Sequence, residues 1–174
     1  MIENTASVIK PFQKNIYVII LLVALIWCAG ILIAPEWAGA PGIRGDISDF
    51  MYIFYSKSCH QLDYRSFHMA GHKLGVCSRC TVIYFGFLLA TIIYPFLKKL
   101  SNLELPSVWI LLAGAALVAL DAGFDDFNIL QNSFLSRGIT GGILGLILPF
   151  FIIPGTIRLF DEFFTGQQRI PKKN

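Results

Sequence analysis

Residues 16–34 read IYVIILLVALIWCAGILIA and contain no charged side chain. Because an α-helix rises about 1.5 Å per residue, this run would reach roughly 28 Å, close to the hydrocarbon thickness of a bilayer. A signal peptide is the competing interpretation, since Lys10 and Lys14 precede the run and residues 38–40 (AGA) resemble a cleavage site. The apolar core of a signal peptide usually has about 7–15 residues. We therefore interpret the run as an uncleaved transmembrane helix.

Three further apolar runs follow, and they cover Cys80–Leu97, Leu105–Phe124 and Ile139–Leu159. Pro149 and Pro154 lie inside the last run, and membrane helices tolerate such prolines when neighbouring groups satisfy the freed carbonyls. Charged residues make up only 14% of the chain, which favours a membrane protein over a soluble core. The sequence predicts an all-α integral membrane protein with four transmembrane helices in a single domain, residues 1–174.

Residues 35–79 separate the first two predicted spans, and residues 46–80 contain a predicted short helix and the Cys/His segment. Pro35–Gly45 is rich in proline and glycine and is typical of a loop. Asp46 is suited to capping a short helix over Ile47–Lys57, whose apolar stripe is formed by Ile47, Phe50, Met51 and Phe54. This helix is too short to span, so it either packs on the other helices or lies along the membrane interface. In both cases it brings the following Cys/His-rich loop to the membrane surface.

Basic residues suggest an orientation. Four spans place both termini on one side together with the loop between the second and third spans. That side holds eight basic residues: Lys10, Lys14, Lys98, Lys99, Arg158, Arg169, Lys172 and Lys173. The other side holds six: Arg44, Lys57, Arg65, Lys73, Arg79 and Arg137. The positive-inside rule therefore predicts cytoplasmic termini and an extracytoplasmic Cys/His segment in the cell membrane.

The segment from Lys57 to Cys80 concentrates three of the four cysteines and all three histidines. Cys77 and Cys80 form a C-x-x-C, and two thiolates at this spacing hold one metal ion or form a disulfide. Cys59 and His60, 17 to 18 residues upstream, would complete a tetrahedral Cys₃His site for zinc, with His72 as a reserve for the fourth position. A redox or structural disulfide and ordinary packing cysteines are the alternatives. The fourth cysteine, Cys28, lies in an apolar helix and is interpreted as core.

Charged residues near the membrane surface form the second candidate site. Asp121 ends the third apolar run, and Arg137 begins the fourth, so both lie on the face that carries the Cys/His segment. An ion pair of Arg137 with Asp121 or Asp125 would simply join the third and fourth helices. The functional alternative is a polar pocket with Asp121 and Arg137 as catalytic residues. Arg65, Ser66, Arg79 and Asp125 would then bind an anionic lipid or another amphipathic small molecule.

Small residues recur at a spacing of four in two of the predicted spans. Gly141 and Gly145 form a G-x-x-x-G, and Gly86 with Ala90 forms a similar pair. Such pairs let helices approach closely. We interpret them as packing contacts inside one bundle rather than as dimer contacts.

The motifs resemble those of the DUF2085 family of predicted bacterial and archaeal membrane proteins. The resemblance covers roughly residues 55–150. It is carried by Cys59-His60, Arg65-Ser66-Phe67, Gly71, Val76-Cys77-Ser78-Arg79-Cys80, Tyr84, Gly86, Asp121-Ala122-Gly123, Arg137, Thr140-Gly141 and Gly145. Thr81 stands where many relatives are expected to have glycine, and Ala122 interrupts what usually reads as Asp-Gly. The resemblance implies a membrane protein in which this motif matters, and it implies no reaction.

Three functions fit these features. The first is a membrane protein whose zinc-type Cys/His site caps an Arg/Asp-lined pocket at the interface. The second is a thiol–disulfide oxidoreductase that uses Cys77 and Cys80. The third is a non-enzymatic assembly module. Nucleic-acid binding is set aside, because the basic residues are scattered and the net charge is only +3.

Overall fold

The computed structural model describes residues 11–127 and 132–165. Its elements in chain order are α1 (Pro11–Glu36), α2 (Ile43–Ser56), a 3₁₀ turn (Asp63–Arg65), β1 (His68–Met69), β2 (His72–Lys73), α3 (Ser78–Leu97), α4 (Val108–Asp126), α5 (Phe134–Ile147) and α6 (Pro149–Thr165). Within the described residues, four helical segments are long and apolar enough to cross a membrane. The predicted all-α, four-span fold class is therefore confirmed. Among the residues used to predict orientation, Lys10, Arg169, Lys172 and Lys173 lie outside the described residues.

Prolines explain where the third and fourth spans differ from the prediction. Helix α4 begins at Val108 rather than Leu105, because Leu105 precedes Pro106 and a residue before proline is driven out of the helical region. The fourth span is two helices, α5 and α6, that meet at Leu148. Pro149 has no N–H for the preceding turn, so it can begin α6 but cannot continue α5.

Two prolines inside spans leave carbonyls that other parts of the chain satisfy. Pro35 cannot donate to the Ile31 carbonyl of α1, and the Gly75 N–H donates to it instead at 3.3 Å. Pro95 cannot donate to the Thr91 carbonyl of α3, and the Tyr17 hydroxyl donates to it at 3.1 Å. Orphaned carbonyls are costly in hydrocarbon. These two tertiary hydrogen bonds therefore allow α1 and α3 to carry prolines.

Helix α2 begins earlier than predicted, and Asp46 is not its cap. The cap position is Gly42, and Asp46 lies in the first turn. The outward face carries Phe50 and Ile53, which are 60% and 63% exposed, whereas Met51 of the predicted apolar stripe packs against the core. The opposite face packs on α1, where Ser48 Oγ donates to the Ala34 carbonyl at 2.6 Å and the Tyr55 hydroxyl donates to the Trp27 carbonyl at 2.7 Å. An apolar face outward and a hydrogen-bonded face inward suit a helix lying along the membrane interface.

The loop after α2 closes with a short hairpin. Strands β1 and β2 are antiparallel and pair His68 with Lys73. The two turn residues, Ala70 and Gly71, have φ of 53° and 82°, the left-handed values that a two-residue type I′ turn requires. His68 and His72 therefore lie on opposite strands of a hairpin and not on one helix face.

The close packing of α5 on α3 confirms the interpretation of the glycine pairs. Gly86 on α3 lies beside Gly142 and Gly145 on α5, and a Cβ added to Gly86 would be 3.4 Å from the Gly145 Cα. A Cβ on Gly141 would lie 2.8 Å from the Arg79 carbonyl oxygen. The two backbones are therefore almost in contact, which brings the start of α5 next to the C-x-x-C at the start of α3.

Candidate functional site

Three cysteines converge where the loop enters α3. Cys59 follows α2, Cys77 caps the N-terminus of α3, and Cys80 lies in its first turn. Their Sγ atoms all lie within 4.8 Å of one another, and the Sγ atoms of Cys77 and Cys80 are 3.5 Å apart. The Cys77 N–H donates to the Cys59 Sγ at 3.2 Å. This group is close enough to hold a metal ion.

The three thiols share protons unequally. Hydrogen bonds from the thiols of Cys77 and Cys80 hold the pKa of Cys59 well below its ordinary value. The pKa of Cys77 is raised, because its thiol is hydrogen-bonded to Cys59. A cation that binds all three cysteines as thiolates releases the protons that they still carry.

The sulfur positions fit a tetrahedral metal ion. With metal–sulfur bonds of about 2.3 Å, two thiolates of a tetrahedral zinc site lie roughly 3.8 Å apart. The observed 3.5 Å between Cys77 and Cys80, and the 4.8 Å limit for all three, need only small side-chain adjustments to match it.

The structure does not bring His60 into this group. Among the described residues, the only group of three or more candidate ligands within reach of one ion is Cys59, Cys77 and Cys80. Consecutive side chains in an extended loop diverge, so Cys59 is buried while His60 is exposed. His72 is not a substitute, because it lies exposed on β2 and borders a different surface cavity. The expected Cys₃His set is reduced to three sulfurs.

Asp121 pairs with Arg79 and not with Arg137. Arg79 Nη2 lies 2.5 Å from Asp121 Oδ2, and the Thr140 hydroxyl donates to the same oxygen at 3.2 Å. The Ser136 hydroxyl donates to the other carboxylate oxygen. Asp121 therefore joins the start of α3 to the start of α5, and of the two partners that the sequence left open for Arg137 it is not the one observed.

Arg137 pairs with Asp125, the other partner that the sequence left open. Its Nη2 lies 2.9 Å from Asp125 Oδ2, and Arg65 Nη2 lies 3.2 Å from the same oxygen. The backbone N–H of Asn132 donates to Oδ1 of Asp125 at 3.3 Å. A single buried carboxylate thus binds two guanidinium groups, one from α5 and one from the loop between α2 and α3.

Ser66 has a local structural contact. It is 2% exposed, and its hydroxyl donates to the Leu62 carbonyl at 2.8 Å, which closes the 3₁₀ turn that carries Arg65.

The residues that the sequence analysis did not assign to the site are Asn132, Ser136 and Thr140. The spacing of Ser136 and Thr140, one helical turn apart beside Arg137, was the available signal.

The cysteines and arginines border one cavity of about 360 Å³. Its walls include the three clustered cysteines and Arg65, Arg79 and Arg137; Ser58, His60, Leu62 and Ala122 complete them. Asp121 and Asp125 are not part of these walls, because each lies behind the guanidinium groups that it binds. The cavity therefore presents cations and sulfurs to a ligand.

A second, apolar cavity of about 510 Å³ lies alongside, between α1, α3 and the junction of α5 with α6. Its walls include Trp27, Ile83, Phe87 and Leu148. Ser58 borders both cavities, and its side chain interacts with the Tyr84 hydroxyl, which also belongs to the apolar wall. A polar chamber and a hydrocarbon-like groove thus adjoin at Ser58.

Comparisons with known proteins agree with this architecture. No solved structure matches the chain. An uncharacterized protein of Methanocaldococcus jannaschii is 37% identical over 149 residues, which cover 82% of this chain and 93% of that protein. The model of a family described as a predicted membrane protein, DUF2085, matches residues 59–151, from the first clustered cysteine to the start of α6. The chain therefore belongs to the DUF2085 family of predicted membrane proteins.

Proposed function

We propose that this protein is a metal-binding membrane protein that binds an anionic, lipid-like ligand in the cavity beneath its cysteine cluster. One observation carries the proposal: three sulfurs suited to one ion and three guanidinium groups border the same cavity. Guanidinium groups bind phosphate and carboxylate in a two-pronged geometry that other side chains do not match.

Zinc is the proposed ion. Thiolate ligands in a tetrahedral set favour zinc over the harder divalent cations, which prefer oxygen. Cys59, Cys77 and Cys80 would hold it as thiolates, and it would supply a Lewis-acid centre at the cavity wall, where the arginines offset the net negative charge of one Zn²⁺ with three thiolates.

The lipid-like character of the ligand rests on the adjoining apolar groove. A ligand with its charged group among the arginines would pass Ser58 and place a hydrocarbon chain between α1 and α3, against Trp27 and Phe87. Binding sites for amphipathic molecules combine such an apolar wall with a few polar groups that fix orientation.

The carboxylates have a positioning role in this proposal. Asp121 and Asp125 each bind arginines and stand behind the cavity wall, so they hold Arg79, Arg137 and Arg65 in place. In this proposal Asp121 positions Arg79 and Arg137 binds the ligand, in place of the catalytic roles that the sequence suggested for both residues.

Metal content tests the proposal. We expect the purified full-length protein to carry about one zinc ion per chain, and chelation to increase the number of reactive thiols by three. Cys59→Ser should lose the ion, because two sulfurs and solvent bind zinc far more weakly than three sulfurs. Cys28→Ser is the matched control: Cys28 lies in the core, 3.5 Å from the Tyr84 carbonyl, and should keep full metal content. A metal-free protein whose three clustered thiols already react before chelation would overturn the proposal.

The 3.5 Å separation of the Cys77 and Cys80 sulfurs also favours the redox function as a second candidate. Formation of a disulfide there would remove two protons and two electrons, which a membrane quinone or a partner dithiol–disulfide protein would accept. The same preparation separates the two functions. A metal-free protein whose thiol count rises by two only after reduction would support the redox candidate.

For orientation, we propose cytoplasmic termini and an extracytoplasmic cysteine cluster in the cell membrane, from the eight-to-six distribution of basic residues. A single cysteine introduced at Lys172 in a cysteine-free background should react with a membrane-impermeant maleimide only after the cells are opened. Labelling of that position in intact cells would reverse the assigned orientation.

A further inference from the structure

We infer that the metal site keeps a fourth coordination position, that this position opens into the arginine-lined cavity, and that the oxyanion of the ligand, a phosphate or carboxylate group, occupies it. The inference rests on the proposed function, since it requires an ion at the cysteine cluster. It changes the role of that ion from a structural clamp to part of the ligand-binding site.

The part of the chain that the structure describes supplies three ligands to the proposed ion, one fewer than a tetrahedral site needs. Among the described residues, three sulfurs group together and no histidine or carboxylate joins them. A structural zinc site usually has four protein ligands, whereas a site with three protein ligands leaves one position for water or substrate. A tetrahedral ion on these cysteines therefore has one position to fill.

The fourth coordination position faces the arginine-lined cavity. Cys59 belongs to a buried apolar cluster with Ile31, Tyr55, Leu74 and Val76. Cys77 and Cys80 also pack against this cluster. One side of the cysteines is therefore filled by the core, and the side left open is the 360 Å³ cavity that all three of them border.

The arginines of the cavity wall favour an oxyanion as the fourth ligand of the ion. Arg137 is 5% exposed, and Arg79 and Arg137 each bind their carboxylate through Nη2. Within the described part of the chain, their buried Nε groups have no hydrogen-bond partner. Three guanidinium groups border the cavity, and among the residues that the structure describes only two carboxylates, Asp121 and Asp125, bind them, so one positive charge at this wall is left for an anion. An oxyanion satisfies both requirements, because it supplies an oxygen to the metal and acceptors to the arginines.

Cobalt substitution tests the inference with a readout that does not depend on activity. Co²⁺ bound by three thiolates shows charge-transfer bands, and its d–d bands respond to the fourth ligand. We expect the d–d bands of the Co²⁺-loaded full-length protein in detergent to shift saturably with dihexanoyl phosphatidic acid, and not with dihexanoyl phosphatidylcholine. A parallel titration with inorganic phosphate identifies the source: a shift with phosphate indicates a site open to free anions, and a shift with phosphatidic acid alone indicates a lipid headgroup.

Two variants connect the spectral shift to the cavity. Arg65→Gln removes a guanidinium from the wall while Asp125 keeps Arg137, and it should raise the apparent Kd by about 10-fold or more, as expected for loss of a charged hydrogen bond. Lys57→Gln removes the same charge from an exposed residue of the same loop that is not part of the cavity wall, and should leave the Kd unchanged. Retained charge-transfer bands show that each variant still holds the ion.

Different spectral outcomes would contradict the metal site and the open fourth position. Absence of thiolate-to-cobalt charge-transfer bands would overturn the metal site itself. Normal charge-transfer bands with d–d bands that ignore both anions would leave the metal in place and overturn the open position. An anion response that Arg65→Gln and Lys57→Gln affect equally would also overturn it, because the arginine cavity would then not be the binding site.

Discussion

Asp125→Asn is expected to lower the free energy of unfolding by about 3–5 kcal/mol, because it leaves two guanidinium groups without their shared carboxylate. The Asp125 side chain is only 8% exposed, so solvent cannot replace the lost charge. The measurement is the thermal or denaturant-induced unfolding of the purified protein in detergent. The same change at Asp63 is the control, since that carboxylate is 75% exposed and pairs only with a surface histidine, His68.

A double-mutant cycle identifies the partner. Asp125→Asn combined with Arg137→Gln should be less destabilising than the sum of the single changes, with a coupling of about 1–3 kcal/mol. The corresponding cycle for Asp121 and Arg137 should give a smaller coupling, because Asp121 binds Arg79 instead. Equal couplings in the two cycles would mean that Arg137 does not distinguish Asp125 from Asp121, which would contradict the observed pairing.

Gly145→Ala is expected to destabilise the protein by about 1–3 kcal/mol, the usual cost of overfilling a packed interface. The new Cβ would lie 3.0 Å from the Ile83 Cα and clash with the Ile83 carbonyl oxygen. Both are backbone atoms of α3, so no rotamer change relieves the contact and the two helices must separate. The intrinsic preference of alanine for a helix, about 0.8–1 kcal/mol over glycine, offsets only part of this cost.

Gly138→Ala on the same helix is the matched control. A Cβ at Gly138 would meet no atom within 4 Å, so only the helix preference acts and stability should stay level or rise. If both alanine variants unfold at the same temperature, the close approach of α5 to α3 is not what holds these helices together.

The sequence predicted the spans well because hydropathy reports directly on membrane insertion. The second span is predicted within two residues of α3, and all four spans occur. The break that divides the fourth span into α5 and α6 was harder to predict. Pro149 was visible, but whether a proline only bends a helix or starts a new one depends on the neighbours that receive the freed carbonyl.

The sequence predicted which residues belong to the candidate site, but it did not predict which of them contact each other. The sequence selected Cys59, Cys77 and Cys80, which the structure brings together, and it selected charged residues that form ion pairs with one another. It did not assign Asp121 to Arg79, because two carboxylates one turn apart on α4 present the same choice to every nearby arginine. The rotation of α4 against α3 and α5 decides that choice, and this rotation is a property of the packed bundle.

The position of His60 outside the cysteine group has a different reason. His60 follows Cys59 directly, and spacing alone treats neighbours as equally available. Backbone direction separates them: the Cys59 side chain enters the core, whereas that of His60 remains exposed. Sequence spacing predicted which residues share the site, and only the fold decides which of them reach a common point.

The hydrogen bond from Gly75 to the Ile31 carbonyl has a consequence for biogenesis. When the first helix leaves the insertion machinery, that carbonyl faces lipid without a donor, and its donor is still 44 residues from emerging. Tyr17 on the same helix likewise waits for its acceptor on α3, Thr91. The first two spans and the loop between them are therefore the smallest portion of the chain in which both carbonyls have their donors. This portion already contains all three clustered cysteines, whereas the charged partners on α4 and α5 follow later in the sequence.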